Sequence, residues 1–535
     1  MAVPFNANRR KVKVMRMLER VGNGLAVGVR IARAVCDKRN RSVPEWALDG
    51  LRRREEVRIA IVGAKKSGKT VLWTAVENYL RYLKASRSDT LGDWKVVEVE
   101  PREPFGWPNF DYGHVRAKLA ETEAGGRGWP SETDKVWCRS LDVDLVRIAG
   151  RGSGARRKVC LRILDIPGER FSDLGTMHGL SFGEWSCELD RYWRETPSES
   201  SRAHAIYAKK VKGLLAELDR LGDGAESVLD QVAKAERACM AGYRDFLRDR
   251  RDSCSQFLTP STYVMPDSSM PAAARELRED ELYGDCGFVP LPKEAFGMKG
   301  RGVELLVKRF GAAYREYKAN LRVDEIAKWL ETANQAYYLV DVLAILQNGK
   351  SAKEGVESQV GNVGERLFSN RGDPLCKKAW KFLFKTQVSR FCAIVTQSDR
   401  TNVERDAGNL KKLCEGLFGS LFAKISGATT DCIVCSAVRS AAPFGENGEL
   451  KGKFLRDRNR PTGPKNLWEG PYSPPVVPSD WKDAWTADGK WDGTKGWWLF
   501  PEPMGFPRDY DEVPCFYHLD DVVKSMVLPD EGAAS

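Results

Sequence analysis

Residues 57–70 read Val57-Arg-Ile-Ala-Ile-Val-Gly63-Ala-Lys-Lys-Ser-Gly68-Lys69-Thr70. The apolar run 57–62 is a short buried strand, Gly63 to Gly68 form a turn, and 69–84 continue as a helix. The spacing GxxxxGK[ST] between a strand and a helix is a phosphate-binding loop, or P-loop. Its glycines let the backbone wrap a phosphate chain, with N–H groups pointing inward at a helix N-terminus. Gly63, Lys65, Lys66, Ser67, Gly68, Lys69, Thr70 and Val71 are therefore the expected nucleotide contacts. Lys69 reaches the β- and γ-phosphates and Thr70 ligates Mg²⁺. The bland alternative, a solvated Gly/Lys turn, is disfavoured by the strand–turn–helix context.

Three further segments follow in order. Leu161-Arg-Ile-Leu-Asp165-Ile-Pro-Gly168-Glu169 is a strand ending in Asp, then DxxG. Downstream of a P-loop, Asp165 is placed to hold Mg²⁺ and the Gly168 N–H to sense a γ-phosphate. Glu169 stands where many small GTPases carry the Gln that orients water. A carboxylate there could take a water proton, but its charge opposes the phosphate, so a structural or switch role fits equally well. Thr396-Gln397-Ser398-Asp399 follows another strand, where GTPases use [N/T]KxD. Asp399 would accept the guanine N1–H and 2-amino donors, a pair that adenine lacks; Gln397 replaces the usual Lys and weakens that assignment. Ser436-Ala437-Val438 closes a further strand, where a backbone N–H can approach the guanine carbonyl. Between the P-loop helix and the Asp165 strand, Trp129-Pro130-Ser131-Glu132-Thr133 falls where a switch Thr would close over metal and γ-phosphate. Thr133 is a candidate metal ligand and catalytic residue; a Pro turn with a capping Thr is its bland counterpart.

The chain around these motifs is a large globular one. Its 535 residues suggest three or four domains. With 42% hydrophobic and 30% charged residues, wholesale disorder is excluded. A net charge of +11 allows phosphate or anionic-lipid contact without demanding either, and no nucleic-acid partner is expected. Thirteen cysteines, an odd number with no secretory start, read as reduced thiols of a cytoplasmic protein. Cys432-Ile-Val-Cys435 sits in an apolar run and reads as buried strand thiols. Four widely spaced histidines make a His-rich metal site or a Ser-His-Asp triad a poor reading. No apolar run approaches a transmembrane span.

The organisation reads as five parts. Residues 1–50 form a basic amphipathic arm, either packed on the main domain or offered to a membrane surface or partner. Residues 51–180 and 334–440 form the nucleotide domain, with strands at 141–148, 158–165, 337–344, 390–396 and 431–436. Alternating strand and helix argues for a mainly parallel sheet covered on both faces. Between them, 181–333 carries helical periodicity (Ile206, Val211, Leu214, Leu218, and on to Phe246), and is read as a helical insertion. Residues 441–535, rich in Pro, Gly and Trp, read as an irregular but packed segment returning to the nucleotide domain.

These segments together resemble the YcjX-like P-loop proteins, bacterial stress-associated NTPases. The resemblance rests on Gly63–Val71, Phe110-Asp-Tyr112, Trp129-Pro130 with Thr133, Asp165–Glu169, Phe288-Val-Pro-Leu-Pro292, Leu339-Val-Asp-Val-Leu343, Thr396–Asp399, Ser436–Val438, and a final strand and helix from Val513. Gln397, Lys65, Lys66 and the long basic arm depart from the family pattern. The resemblance implies a GTPase-like α/β P-loop domain with a large helical insertion and a stress-related role; it supplies no client, so the expected protein partner is unknown. The reading of the sequence is an Mg²⁺-dependent nucleoside triphosphatase that takes GTP and yields GDP, acting as a switch. An ATPase of the same fold is one alternative, kept open by Gln397. A nucleotide-gated scaffold with little turnover is the other, kept open by Glu169.

Overall fold

The computed structural model describes residues 55–63, 67–103, 106–120, 129–130, 136–149, 154–166, 170–195, 199–221, 225–251, 259–263, 286–350, 352–354, 356, 388–423, 425, 428–444, 449–455, 467–487, 489, 491 and 506–528. The basic arm lies outside them, as do Lys65, Lys66, Thr133, Gly168 and Glu169.

In chain order the first elements are β1 (Glu55–Gly63), α1 (Lys69–Ala85), β2 (Trp94–Arg102), α2 (Tyr112–Ala120), β3 (Trp137–Arg147) and β4 (Arg156–Asp165). Helices α3 (Arg170–Met177), α4 (Phe182–Glu195), α5 (Glu199–Asp219), α6 (Ala225–Arg251), α7 (Arg301–Asn320) and α8 (Val323–Glu331) follow. The chain then runs through β5 (Gln335–Val340), α9 (Val342–Asn348), β6 (Arg390–Val395), α10 (Val403–Phe422) and β7 (Thr429–Val434). It continues through β8 (Ala442–Phe444), β9 (Glu449–Leu455), β10 (Leu467–Tyr472) and α11 (Leu519–Val527).

Seven strands form one sheet in the order β2-β3-β4-β1-β5-β6-β7. β4, β1, β5, β6 and β7 are parallel, while β2 and β3 run antiparallel at one edge. Alternation along the strands sorts side chains to two faces. Ala60, Val62, Tyr338, Val340, Ala393 and Val395 join a core with α3–α10, whereas Ile59, Ile61, Tyr337, Leu339, Cys392 and Ile394 join one with α1, α2 and α11. β5 and β6 are buried at every position, as a doubly covered parallel strand requires. The mainly parallel α/β fold read from the sequence is the fold observed.

Four details differ from the sequence reading. The strand placed at 337–344 stops at Val340, because the Asp341 side chain accepts from Ala344 N–H at 2.8 Å and caps α9. Residues 442–472, read as irregular, include a three-stranded antiparallel sheet in the order β10-β9-β8. The final strand expected near Val513 is only a bridge, Ser436 with Tyr517, before α11. Ile206, counted on the apolar stripe, is 72% exposed on α5, whereas Val211, Val232 and Tyr243 are buried as expected. From the Trp-rich segment, the buried Trp481 donates Nε1–H to the Leu413 carbonyl of α10 at 2.7 Å. A side chain at Gly416 would come within 3.1 Å of that indole. Cys432 and Cys435 are both buried and free, as read.

Candidate functional site

The parallel strands deliver their C-terminal ends to one edge of the sheet, where open α/β sheets bind ligands. Gly63 ends β1 opposite Leu339 of β5. A Cβ at Gly63, whose φ is +153°, would lie 2.6 Å from the Leu339 carbonyl oxygen and 2.7 Å from Ser67 Oγ. Glycine is thus required for the chain to leave the strand here. Gly68 is left-handed at φ +86° with open space around it, so its need for glycine is conformational rather than steric. It places Lys69 at the first position of α1, and Leu72 N–H closes the first turn on the Gly68 carbonyl at 2.8 Å.

Lys69 is buried, and its ammonium donates to the Gly63 carbonyl at 2.9 Å. Thr70 Oγ1 donates to Asp165 Oδ2 at 2.9 Å. The phosphate loop and the end of β4 therefore meet, although 95 residues separate them. Two buried polar atoms, Asp165 Oδ1 and Ser67 Oγ, have no hydrogen-bond partner among the described residues. Burial raises the Asp165 carboxyl above its ordinary range, opposed by the Lys69 charge and the Thr70 hydrogen bond. An unmatched carboxylate oxygen and the buried Ser67 hydroxyl are a donor set that suits a hard cation beside phosphate oxygens. The residues thus fit Mg²⁺ with a phosphate chain; Thr70 and Asp165 would hold the cation, and Lys69 and Ser67 would face the phosphates.

Behind α1 lies a buried ionic brace. Glu77 accepts from Arg139 of β3 through Nε (2.9 Å) and Nη2 (2.8 Å), and from Arg81 Nη2 at 2.8 Å. This two-pronged grip fixes the helix, and so Lys69 and Thr70, against the β3–β4 hairpin.

The second cluster sits at the ends of β6 and β7. Thr396 N–H donates to the Val340 carbonyl at 3.0 Å, tying this loop to the strand beside the P-loop. Gln397 takes a left-handed conformation, φ 57°, and Ser398–Arg400 make one 3-10 turn. Asp399 is buried; its Oδ1 accepts from Ser436 Oγ at 2.8 Å, and its Oδ2 from Ser440 N–H at 2.5 Å and Ser440 Oγ at 2.6 Å. Ala437 and Val438 pack on the α1 face of the sheet. The Thr396–Asp399 and Ser436–Val438 loops are therefore joined, through Asp399 itself. Beside them, the buried Arg400 guanidinium donates to Gln397 Oε1 (3.2 Å), Asp341 Oδ2 (3.3 Å) and Gln347 Oε1 (3.2 Å). Sequence reasoning missed Ser440 and Arg400. The only available signal was a serine two residues past Ser-Ala-Val and an Arg in the place after TxxD.

A third feature was also missed. Asp173 of α3, eight residues past Asp165, is fully buried. Its Oδ1 accepts from Thr259 Oγ1 (2.8 Å) and Ser261 N–H (2.9 Å), and its Oδ2 from Ser261 Oγ (2.5 Å) and Tyr317 OH (2.8 Å). The segment after the DxxG is thus clasped to the helical region on both sides.

A parallel sheet with a GxxxxGKT loop, a Thr70–Asp165 contact and loops converging at the next strand ends defines a protein of the P-loop NTPase-like class. The family profile of the YcjX-like family, DUF463, matches residues 57–508, and the chain belongs to that family. It is also 22% identical over 424 residues to the Escherichia coli (strain K12) protein named Ras-like GTPase YcjX, covering 75% of this chain and 83% of that one. Among the described residues, no helix is long and apolar enough to cross a membrane.

Proposed function

We propose that the protein binds and hydrolyses a nucleoside triphosphate, GTP before ATP, with Mg²⁺, and works as a conformational switch. The observation that carries this is the part-buried Thr70–Asp165 contact, with Asp165 Oδ1 unmatched among the described residues, set where the P-loop enters α1. The name of the Escherichia coli relative supports guanine over adenine. When bound, Mg²⁺ would neutralise charge on the β- and γ-phosphates. Lys69 leaves the Gly63 carbonyl to contact the phosphate oxygens, and its charge stabilises them. Thr133, Gly168 and Glu169 are proposed to close over the γ-phosphate, and Asp399 to read the base. The domain division proposed from the sequence, with the insertion at 181–333, makes that helical region the moving part. A stress-related role rests on the family resemblance, a protein partner on the switch reading, and lipid contact by residues 1–50 on their charge. An ATPase of the same fold is the second reading, because Gln397 stands where the guanine motif has Lys.

Competitive binding of GTP, GDP, ATP and ADP to the full chain, with Lys69→Ala alongside, tests the proposal. GTP and GDP should bind most tightly, and Lys69→Ala should abolish tight triphosphate binding while leaving the fold intact. Unchanged affinity in the variant would overturn the phosphate site; a wild type that prefers ATP would overturn the guanine assignment.

A further inference from the structure

An ionised carboxylate offers about four acceptor positions, two on each oxygen. Asp399 has already filled three. Ser436 Oγ takes one on Oδ1, and Ser440 takes both on Oδ2 through its N–H and its hydroxyl. The Ser436 hydroxyl also lies 3.1 Å from the Val438 carbonyl, but its single proton goes to the closer, charged acceptor. One position is left, on Oδ1. A guanine edge presents two parallel donors and needs one position on each oxygen. Hypoxanthine, which lacks the 2-amino group, presents only one.

We propose that Ser440 sets base specificity by competing with the purine 2-amino group for Asp399 Oδ2. The inference rests on the guanine reading above and deepens it. The backbone N–H of Ser440 is fixed by the fold, so the hydroxyl is the part of the competition that sequence can change. With Ser440 in place, Asp399 takes one donor from the base, and guanine and hypoxanthine nucleotides bind alike. Without the hydroxyl, Oδ2 regains a position and the two-bond contact with guanine forms. Ser436 is different: removing its hydroxyl opens a further position on Oδ1, where one is already open, and leaves Oδ2 filled. Of the two serines, both bonded to the same carboxylate, only Ser440 therefore limits guanine selectivity.

The test uses the full chain as wild type, Ser440→Ala and Ser436→Ala. GDP, IDP and ADP compete against a fluorescent GDP analogue with Mg²⁺ present, and circular dichroism checks that each variant folds. The expected result is a GDP-to-IDP affinity ratio near one in the wild type and in Ser436→Ala, rising about tenfold in Ser440→Ala, the worth of one hydrogen bond to a charged acceptor. A ratio that does not change in Ser440→Ala, or that rises equally in both variants, overturns the inference. ADP separates this from failure of the underlying reading. If ADP binds as tightly as GDP and IDP in all three proteins, the base site itself is wrong. If GDP and IDP both outbind ADP while the Ser440→Ala ratio stays unchanged, guanine-type recognition stands and only the role of Ser440 falls.

Discussion

Replacing Asp173 should separate the clasp's contribution to stability from its contribution to signalling. In Asp173→Ala, at least four donors among the described residues lose their acceptor: Thr259 Oγ1, Ser261 N–H, Ser261 Oγ and Tyr317 OH. Two hydroxyls have a fallback, since Thr259 lies 3.2 Å from Thr176 Oγ1 and Tyr317 lies 3.0 Å from Thr262 Oγ1. The Ser261 N–H cannot turn away, and a buried amide left unmatched costs about 1–3 kcal/mol alone. With the charge-assisted bonds also gone, the total comes to about 4 kcal/mol. Asp173→Asn should cost only about 1–2 kcal/mol. Its carbonyl oxygen can keep Ser261 N–H and Thr259, while its amide donates to the Ser261 and Tyr317 hydroxyl oxygens, which accept as readily as they donate. Hydrogen exchange with mass spectrometry reads both effects. Protection of Ser261 should fall roughly a thousandfold in Asp173→Ala and far less in Asp173→Asn. In the wild type and Asp173→Asn, exchange across 170–260 should differ between a non-hydrolysable GTP analogue and GDP, while strands 57–62 and 390–396 stay the same. In Asp173→Ala that difference should vanish. If it persists while both nucleotides saturate the site, the clasp does not transmit the nucleotide state; if the two variants are equally stable, the hydrogen-bond reasoning is wrong.

Other consequences are simpler to read. Asp165→Asn should abolish Mg²⁺-dependent tightening of nucleotide binding, yet raise the thermal midpoint of the nucleotide-free protein at pH 7. Its carboxyl is raised by burial, so ionisation subtracts stability as pH climbs past the ordinary carboxylate range, and the amide removes that cost. A lower midpoint in the variant would contradict this. Asp399→Asn should erase most of any preference for GTP over ATP in competition binding, and an unchanged ratio would remove Asp399 from the base site. His204, buried between α5 and α6 with Arg194 and Asp190 nearby, has its pKa pushed down from 6.5 to about 4, first by burial and then by the Arg194 charge. Its contribution is complete above pH 6.5 and is lost as pH falls toward 4, amounting to about 2 kcal/mol at pH 5. Urea midpoints at pH 7 and 5 should show that loss in the wild type and a flatter response in His204→Phe.

The strand–turn–helix junction of the candidate phosphate loop was legible because its determinants are local. Gly63, Gly68, Lys69 and Thr70 lie in eight consecutive residues whose backbone demands almost specify the residue types. The strand cores were legible for the same reason, since burial on both faces leaves continuous apolar runs. What could not be read depended on partners far along the chain. Ser440 matters only because Asp399, 41 residues earlier, comes to lie beside it. Asp173 meets Ser261 across 88 residues and Tyr317 across 144. Asp341 looked like part of a strand because Val-Asp-Val alternates; its carboxylate instead turns back to the Ala344 N–H and starts a helix. Ile206 satisfied helical periodicity and yet faces outward, since periodicity fixes a stripe's spacing but not its width. The β8–β10 sheet was hidden by its Gly, Pro and Trp content, which resembles that of loops.

The neighbour of β1 on the α9 side arrives late. The Arg58 N–H waits for the Asn334 side chain, 276 residues further on, and β1 has no partner on that side until β5 exists. At about 5–20 residues per second, a ribosome needs tens of seconds to supply it. During that interval the apolar strand Val57–Val62 carries an open row of backbone donors and acceptors, and the P-loop lacks the Leu339 carbonyl against which Gly63 turns. A nascent chain of this topology exposes that edge throughout the interval, and the proposed nucleotide site is completed at the end of its synthesis rather than the beginning. Mutations that slow the pairing of β5 would therefore appear first as lost yield in the cell, with the purified survivors binding nucleotide normally.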